Sequence, residues 1–300
     1  MTTITAPAQE VTIEKPPSGH EVRSHRIKKV LMYTLLIVLG FVSLIPFILA
    51  FLGTFKTDAE IIAYPPTVLP AEWLWENWVK TWNTDMGAGA TFPRWLWNTA
   101  FVSVGVALLQ VVFCSMAAYS FARLRYPGKD FVFAFMLGSM MIPGAVTLIP
   151  AYVVMTKIGF VNTYWSLLVP GAISAGSIFL LTQFLKVVPI ELEEAAHIDG
   201  ASLFRIYKDV VLPLARPALL TVFLLSFQSM WNNFIAPLLY LNTADMWMLN
   251  VALSVFQQQY KAQWNLTLVA AMFNAIPVLI LFAIFSRYYI EGISYSGLKG

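Results

Sequence analysis

The sequence predicts an all-α integral membrane protein, on three observations: an excess of apolar residues, a shortage of charge, and six charge-free runs long enough to cross a bilayer. Of 300 residues, 58% are hydrophobic and only 12% charged, whereas a soluble domain carries about 45–50% and about 25%. Mean hydropathy is +0.69. Lipid is the solvent that suits such a chain.

The six runs are Val30–Leu52, Trp95–Ala122, Phe131–Thr156, Trp165–Leu185, Ala218–Tyr240 and Leu266–Phe285, none holding an Asp, Glu, Lys, Arg or His. Each meets the roughly 20 residues that a ~30 Å hydrocarbon core requires. Residues 1–29 form a polar, flexible N-terminal segment, and the first run is too long for a signal-peptide core, so it reads as a retained span. The span domain then covers 30–290, with outer segments 53–94 and 242–263 and a polar loop at 189–217. Residues 291–300 form a short tail. Of the 19 Lys and Arg, only Lys56, Lys80, Arg94, Lys157 and Lys261 fall on one face of this arrangement. The positive-inside bias therefore puts both termini in the cytoplasm of a multi-pass membrane protein.

What the runs lack narrows the function. Ion-coupled transport ordinarily needs an ionisable residue within the spans. ATP chemistry is also missing, because Gly128-Lys129 lacks the remainder of a P-loop. His20, His25 and His197 are scattered, so no metal site is expected, and no nucleophile constellation or nucleic-acid signature appears. No catalytic residue is assigned. The single cysteine, Cys114, reads as core packing.

The loop between the fourth and fifth runs stands apart. It gathers Glu191, Glu193, Glu194, Asp199, Arg205, Lys208, Asp209 and Arg216. Burying all eight in lipid costs roughly 24 kcal/mol on the insertion scale, so the loop lies outside the bilayer. Pro189 marks a helix start whose three glutamates complement the helix dipole. Gly200 suits a left-handed helix end, and Ser202 or Asp199 can cap a second helix that Pro213 and Pro217 close. Two readings stay open: a solvated loop helix on the membrane surface, or a knob for a groove in another protein.

The stretch "EEAAHIDGASLFRIYKDVVLPLARPAL" resembles the EAA motif in membrane subunits of ABC importers, with Glu194, Ala195, Ala196, Asp199, Gly200 and Ala201 in the motif positions. Similarity to the carbohydrate-type permeases extends through "NTAFVSVGVALLQVVFCSMAAYSFARLRYPGKD", "MIPGAVTLIPAYVVMTKIGFVNTYWSLLVP" and "WNNFIAPLLYL". The ending "YIEGISYSGLKG" is similar to the tail of the maltose-type second permease subunit, departing from it at "SYS". The resemblance implies a six-span type I ABC importer permease fold in a prokaryotic cytoplasmic membrane. It also implies a second permease subunit, two ATPase subunits that hold the ATP and Mg²⁺, an extracytoplasmic solute-binding protein and a sugar substrate. This chain itself would bind no cofactor. By the same resemblance the EAA segment is a coupling helix seated on one ATPase, with Glu194 its polar contact. Gly297 and Lys299 would reach the ATPase from the tail. A passive channel and a non-transporting scaffold remain the competing classes.

Three further patches carry two readings each. Gln228, Ser229, Trp231, Asn232 and Asn233 suit the hydroxyls and faces of a sugar, and equally suit helix–helix packing in lipid. Gln183 and Asn274 are lesser pathway candidates. Trp73, Trp75, Trp78 and Trp82 in the first outer segment suit interfacial anchoring or contact with the binding protein. Trp247, Gln257 and Gln258 in the second are candidates for the same contact.

Overall fold

Apolar runs in lipid must satisfy their backbone groups internally, and continuous apolar runs of about 20 or more residues do so as helices, since barrel strands are shorter and alternate apolar with polar. The structure is a computed structural model that describes residues 19–87, 89–260 and 263–297, with side chains described between 28 and 285. Among the described residues all regular structure is helical. Residues up to Leu52 and residues from Gly53 onward form two units. The first unit is essentially α1 (Gly19–Gly53), which carries exposed apolar side chains all round from Val30 to Phe51. That profile belongs to a lipid-facing span.

In the second unit, α2 (Asp58–Ile61) and α3 (Glu76–Asn83) build the first outer segment. Thr57 caps α2 by accepting a hydrogen bond from the Glu60 amide. The Phe55 ring is enclosed by Trp73, Trp75 and Trp78, with centroids 5.2, 4.6 and 6.2 Å away. Buried Asn77 donates to the carbonyls of Thr54 and Lys56. The four tryptophans divide their work: Trp78 and Trp82 meet Phe273 at 5.3 and 5.2 Å, whereas Trp73 and Trp75 are more than half exposed.

The centre of the bundle is α4 (Phe92–Arg123), 32 residues and about 48 Å long at the α-helical rise. Its buried residues Trp95, Asn98, Val102, Val106, Cys114, Ala118 and Tyr119 recur at helical spacing. Next come α5 (Lys129–Ser139) and α6 (Gly144–Lys157), set at 101° to one another. The third run is thus broken near its middle, where Pro143 denies the helix an amide and pushes Ile142 out of helical geometry. Helices α7 (Trp165–Gly171) and α8 (Ala175–Val187) form one span. The polar loop holds α9 (Glu191–Ile198), α10 (Leu203–Ile206), a π turn at Tyr207–Val211 and α11 (Leu212–Leu214).

That second helix ends between Pro213 and Pro217, the two prolines that the sequence predicts to close it. Helical geometry continues to Leu214, and the chain turns 78° at Ala215 into α12 (Arg216–Trp231), with Pro217 at the new helix start. The fifth run is likewise divided: after α12 it breaks at Asn232–Phe234 before α13 (Ile235–Tyr240). The second outer segment is largely a helix, α14 (Leu249–Gln259), that buries Leu249, Ala252, Leu253 and Phe256 against α4 and the last helix. That last helix is α15 (Trp264–Gly297), which continues well past the predicted span end at Phe285. Among the described residues four helices are long and apolar enough to cross a membrane, or up to six if each of two bent pairs counts as one span.

Two apolar clusters sit at opposite ends of α4. One joins Cys114, Ala118 and Tyr119 to Ile178, Leu185, Ile206, Tyr207 and Val211. The other joins Phe92 and Trp95 to α14 and α15. Between them Gln110 donates to the Gly171 carbonyl at 2.8 Å and accepts from Ser177 and Ser226. One amide thus ties four helices together, a linkage worth around 0.6–2 kcal/mol per bond in lipid.

Candidate functional site

Two features have the geometry of functional surfaces: the polar loop at the Arg123 end of α4, and an amide-lined cavity toward the other end.

The loop forms because its local signals agree. Glu191, Glu193 and Glu194 occupy the first turn of α9. Gly200 follows at φ +81°, and an added Cβ there would meet nothing within 4 Å. Backbone conformation, not crowding within this chain, is what requires the glycine. Ser202 accepts from the Arg205 amide and caps α10. Of the six EAA positions, Glu194, Ala195, Asp199 and Gly200 are exposed, while Ala196 and Ala201 are half-buried against the core. Beside the exposed ones stand Ile198 at 85% and Phe204 at 68% exposure. These two side chains give the knob an apolar tip that a search for small residues passes over.

One glutamate faces inward. Glu193 is 10% exposed and accepts a 2.6 Å hydrogen bond from Nε of Arg123, which is 9% exposed. Arg123 Nη2 also donates to the Val188 carbonyl at 2.7 Å. Removing one partner of a buried pair leaves the other charge uncompensated, at a cost of about 3–5 kcal/mol. The exposed pair Arg205–Asp209, at 3.5 Å, contributes little by comparison.

The cavity is an open cleft of about 540 Å³ lined by Asn232, Phe234, Asn250, Leu253, Ser254, Gln257, Ala271 and Asn274. That volume falls within the roughly 300–1,000 Å³ of small-molecule pockets. Its polar wall is organised by a hydrogen-bond chain. Trp231 Nε1 donates to Asn274 Oδ1 at 2.8 Å, Asn274 Nδ2 donates to Asn250 Oδ1 at 3.0 Å, and Asn250 Nδ2 donates to the Trp231 carbonyl at 3.0 Å.

The five residues grouped in the fifth run therefore separate. Asn232 lines the cavity, and buried Trp231 supports its wall from behind. Asn233 accepts from the Ala236 amide at the start of α13. Exposed Gln228 borders a small apolar crevice instead, and Ser229 is exposed elsewhere on α12. Gln257 lines the cavity, Gln258 is exposed, and Trp247 is half-buried with its carbonyl held by Asn98. Asn250 and Ser254 are site residues that the sequence does not single out, because their convergence on the cleft depends on the helix α14 within the outer segment 242–263. In the tail, Gly297 ends α15, while Lys299 lies outside the described residues.

Charge-free spans around a polar cavity, with an ordered helix–glycine–helix knob at one end, define a subunit of a membrane transport assembly. The fold agrees. A chain from the crystal structure of a bacterial ABC transporter involved in import of the acidic polysaccharide alginate superposes with a TM-score of 0.76. It covers 92% of this chain and 100% of that one at 24% identity. The chain belongs to the family of binding-protein-dependent transport system inner membrane components, which it matches over residues 110–292. It is also similar to the arabinooligosaccharides transport system permease protein of Halalkalibacterium halodurans, 29% identical over 87% of this chain and 93% of that one. To the sn-glycerol-3-phosphate transport system permease protein of Brucella abortus it is 30% identical over 86% and 94%.

Proposed function

We propose that this chain is the second permease subunit of an ATP-driven sugar importer, forming half of a translocation pathway with another permease. Its EAA loop couples to one of two ATPase subunits that carry the ATP and Mg²⁺. An extracytoplasmic binding protein delivers the solute, and both termini are cytoplasmic. The observation that carries this reading is the exposed knob of Glu194, Ala195, Ile198, Asp199, Gly200 and Phe204 on a bundle whose family is that of binding-protein-dependent transport. A passive channel has no use for an ordered docking surface on a mobile-solvent face, and the lack of charge within the spans leaves an external motor as the energy source.

The cavity argues for a neutral polyhydroxylated solute. Its amides, hydroxyl and phenyl ring can donate, accept and stack, while none of its eight lining residues carries a charge. Relatives handle both arabinooligosaccharides and glycerol 3-phosphate by name, so solute class is the point to test. Binding to the companion solute-binding protein, followed by competition against uptake in vesicles, should show neutral oligosaccharides competing and sugar phosphates or uronates failing to do so. Preference for the anionic set would contradict the assignment.

A further inference from the structure

We propose that Arg123 and Glu193 are positioning residues that make the coupling loop and α4 move as one body, so that α4 receives the stroke of the ATPase directly. The inference rests on the reading of α9 as the ATPase contact and adds the route by which its movement enters the bundle.

On the sequence alone, force from the loop passes to the spans on either side of it, α8 and α12. The structure adds a third route. Ser115, Tyr119 and Arg123 recur every four residues and form one stripe on α4. Arg123 holds Glu193 within α9 and the Val188 carbonyl just before it. Ser115 shares a 2.7 Å hydrogen bond with the Tyr207 hydroxyl beyond Gly200, and the Tyr119 and Tyr207 rings lie 5.3 Å apart. Both arms of the loop are thus fastened to the same stripe, and the exposed docking positions, Glu194, Ala195, Ile198, Asp199, Gly200 and Phe204, lie between and beside those two fastenings.

The other end of α4 reaches the outer elements. Trp95 Nε1 donates to the Ala244 carbonyl at 2.8 Å, and Asn98 Nδ2 donates to the carbonyls of Asp245 and Trp247. These precede α14, whose Asn250, Leu253, Ser254 and Gln257 line the cavity. A single uninterrupted helix therefore connects the docking loop to the cavity wall. A desolvated ion pair suits its near end because it tolerates little displacement without exposing an uncompensated charge. Two discrete arrangements of a packed rod are the physical means by which sites far apart become coupled.

The test uses the complete transporter in proteoliposomes with its ATPase and binding protein, comparing Arg123→Met, Glu193→Gln and the exchanged pair Arg123→Glu/Glu193→Arg. In the single variants the ATPase should still co-purify and hydrolyse ATP, while ATP consumed per solute imported rises about tenfold, within the usual range of coupling between sites. The exchanged pair should recover most of the coupling. An unchanged ratio in the single variants would overturn the proposal, as would an exchanged pair that stays uncoupled. Loss of assembled complex alone, repaired by the exchange with no change in ratio, would mark a folding contact and also overturn it. Failure of the ATPase to co-purify with the unaltered chain would instead sink the docking reading beneath it.

Discussion

Replacing Gly200 by valine should cut solute uptake at least about fivefold while the assembled complex continues to hydrolyse ATP. The residue sits at φ +81° with open space around its Cα, so the substitution acts through backbone conformation. Holding a β-branched residue in that region costs about 1–3 kcal/mol, which shifts the population of the correctly turned loop by roughly 5- to 150-fold. Asparagine tolerates the left-handed conformation. Gly200→Asn should therefore retain more uptake than Gly200→Val if the turn alone matters, and should fail equally if the ATPase must approach the bare backbone. Uptake and substrate-stimulated hydrolysis are measured together in each variant. Normal values of both in Gly200→Val would remove this turn from the coupling mechanism.

The second large effect is expected at the cavity. Asn274→Leu deletes the centre of the chain joining Trp231 to Asn250. Trp231 keeps a 3.2 Å bond to the Asn274 carbonyl, but Asn250 Oδ1 loses its donor. Water in the open cleft can replace that donor, so the loss is the net worth of one hydrogen bond, about 0.5–1.5 kcal/mol, equivalent to roughly a two- to twelvefold loss in rate if the wall is needed during passage. Capture of external solute belongs to the binding protein, so the concentration for half-maximal uptake should hold while the maximal rate falls. An undiminished maximal rate would show that solute does not use this wall.

Much of this architecture is written locally and could be read there. The charge-free runs mark the apolar helices, and the loop's caps and glycine mark how it turns, because both depend on neighbours in sequence. Direction is different: hydropathy is blind to a 101° bend, so Phe131–Thr156 reads as one span despite Pro143. The π turn at Tyr207–Val211 is equally unmarked in the sequence, and helical geometry runs through it and past Pro213 to Leu214. In α14 a signal was present, since Leu249, Ala252, Leu253 and Phe256 follow helical spacing, but its short length between two apolar runs made it read as loop. Glu193 shows the remaining difficulty. Three glutamates at a helix start are fully accounted for by the helix dipole, and nothing in the sequence says that the middle one turns inward to an arginine 70 residues away.

The same limit applies to Gln110, Asn250 and Asn274, whose partners lie on other helices. A lone amide in an apolar run signals a hydrogen bond without naming its recipient. Only the packing of α4, α12, α14 and α15 turns these amides into a central tie and a cavity wall.

The central claim is that transport through this chain is driven by a separate ATPase acting on the EAA loop. The most direct measurement is solute accumulation by proteoliposomes containing the whole complex, comparing active ATPase with one disabled for hydrolysis. Accumulation against a gradient with the active enzyme, and none with the disabled one, is the predicted result. Accumulation or rapid equilibration that persists without hydrolysis would contradict the account and identify the protein as a passive pathway.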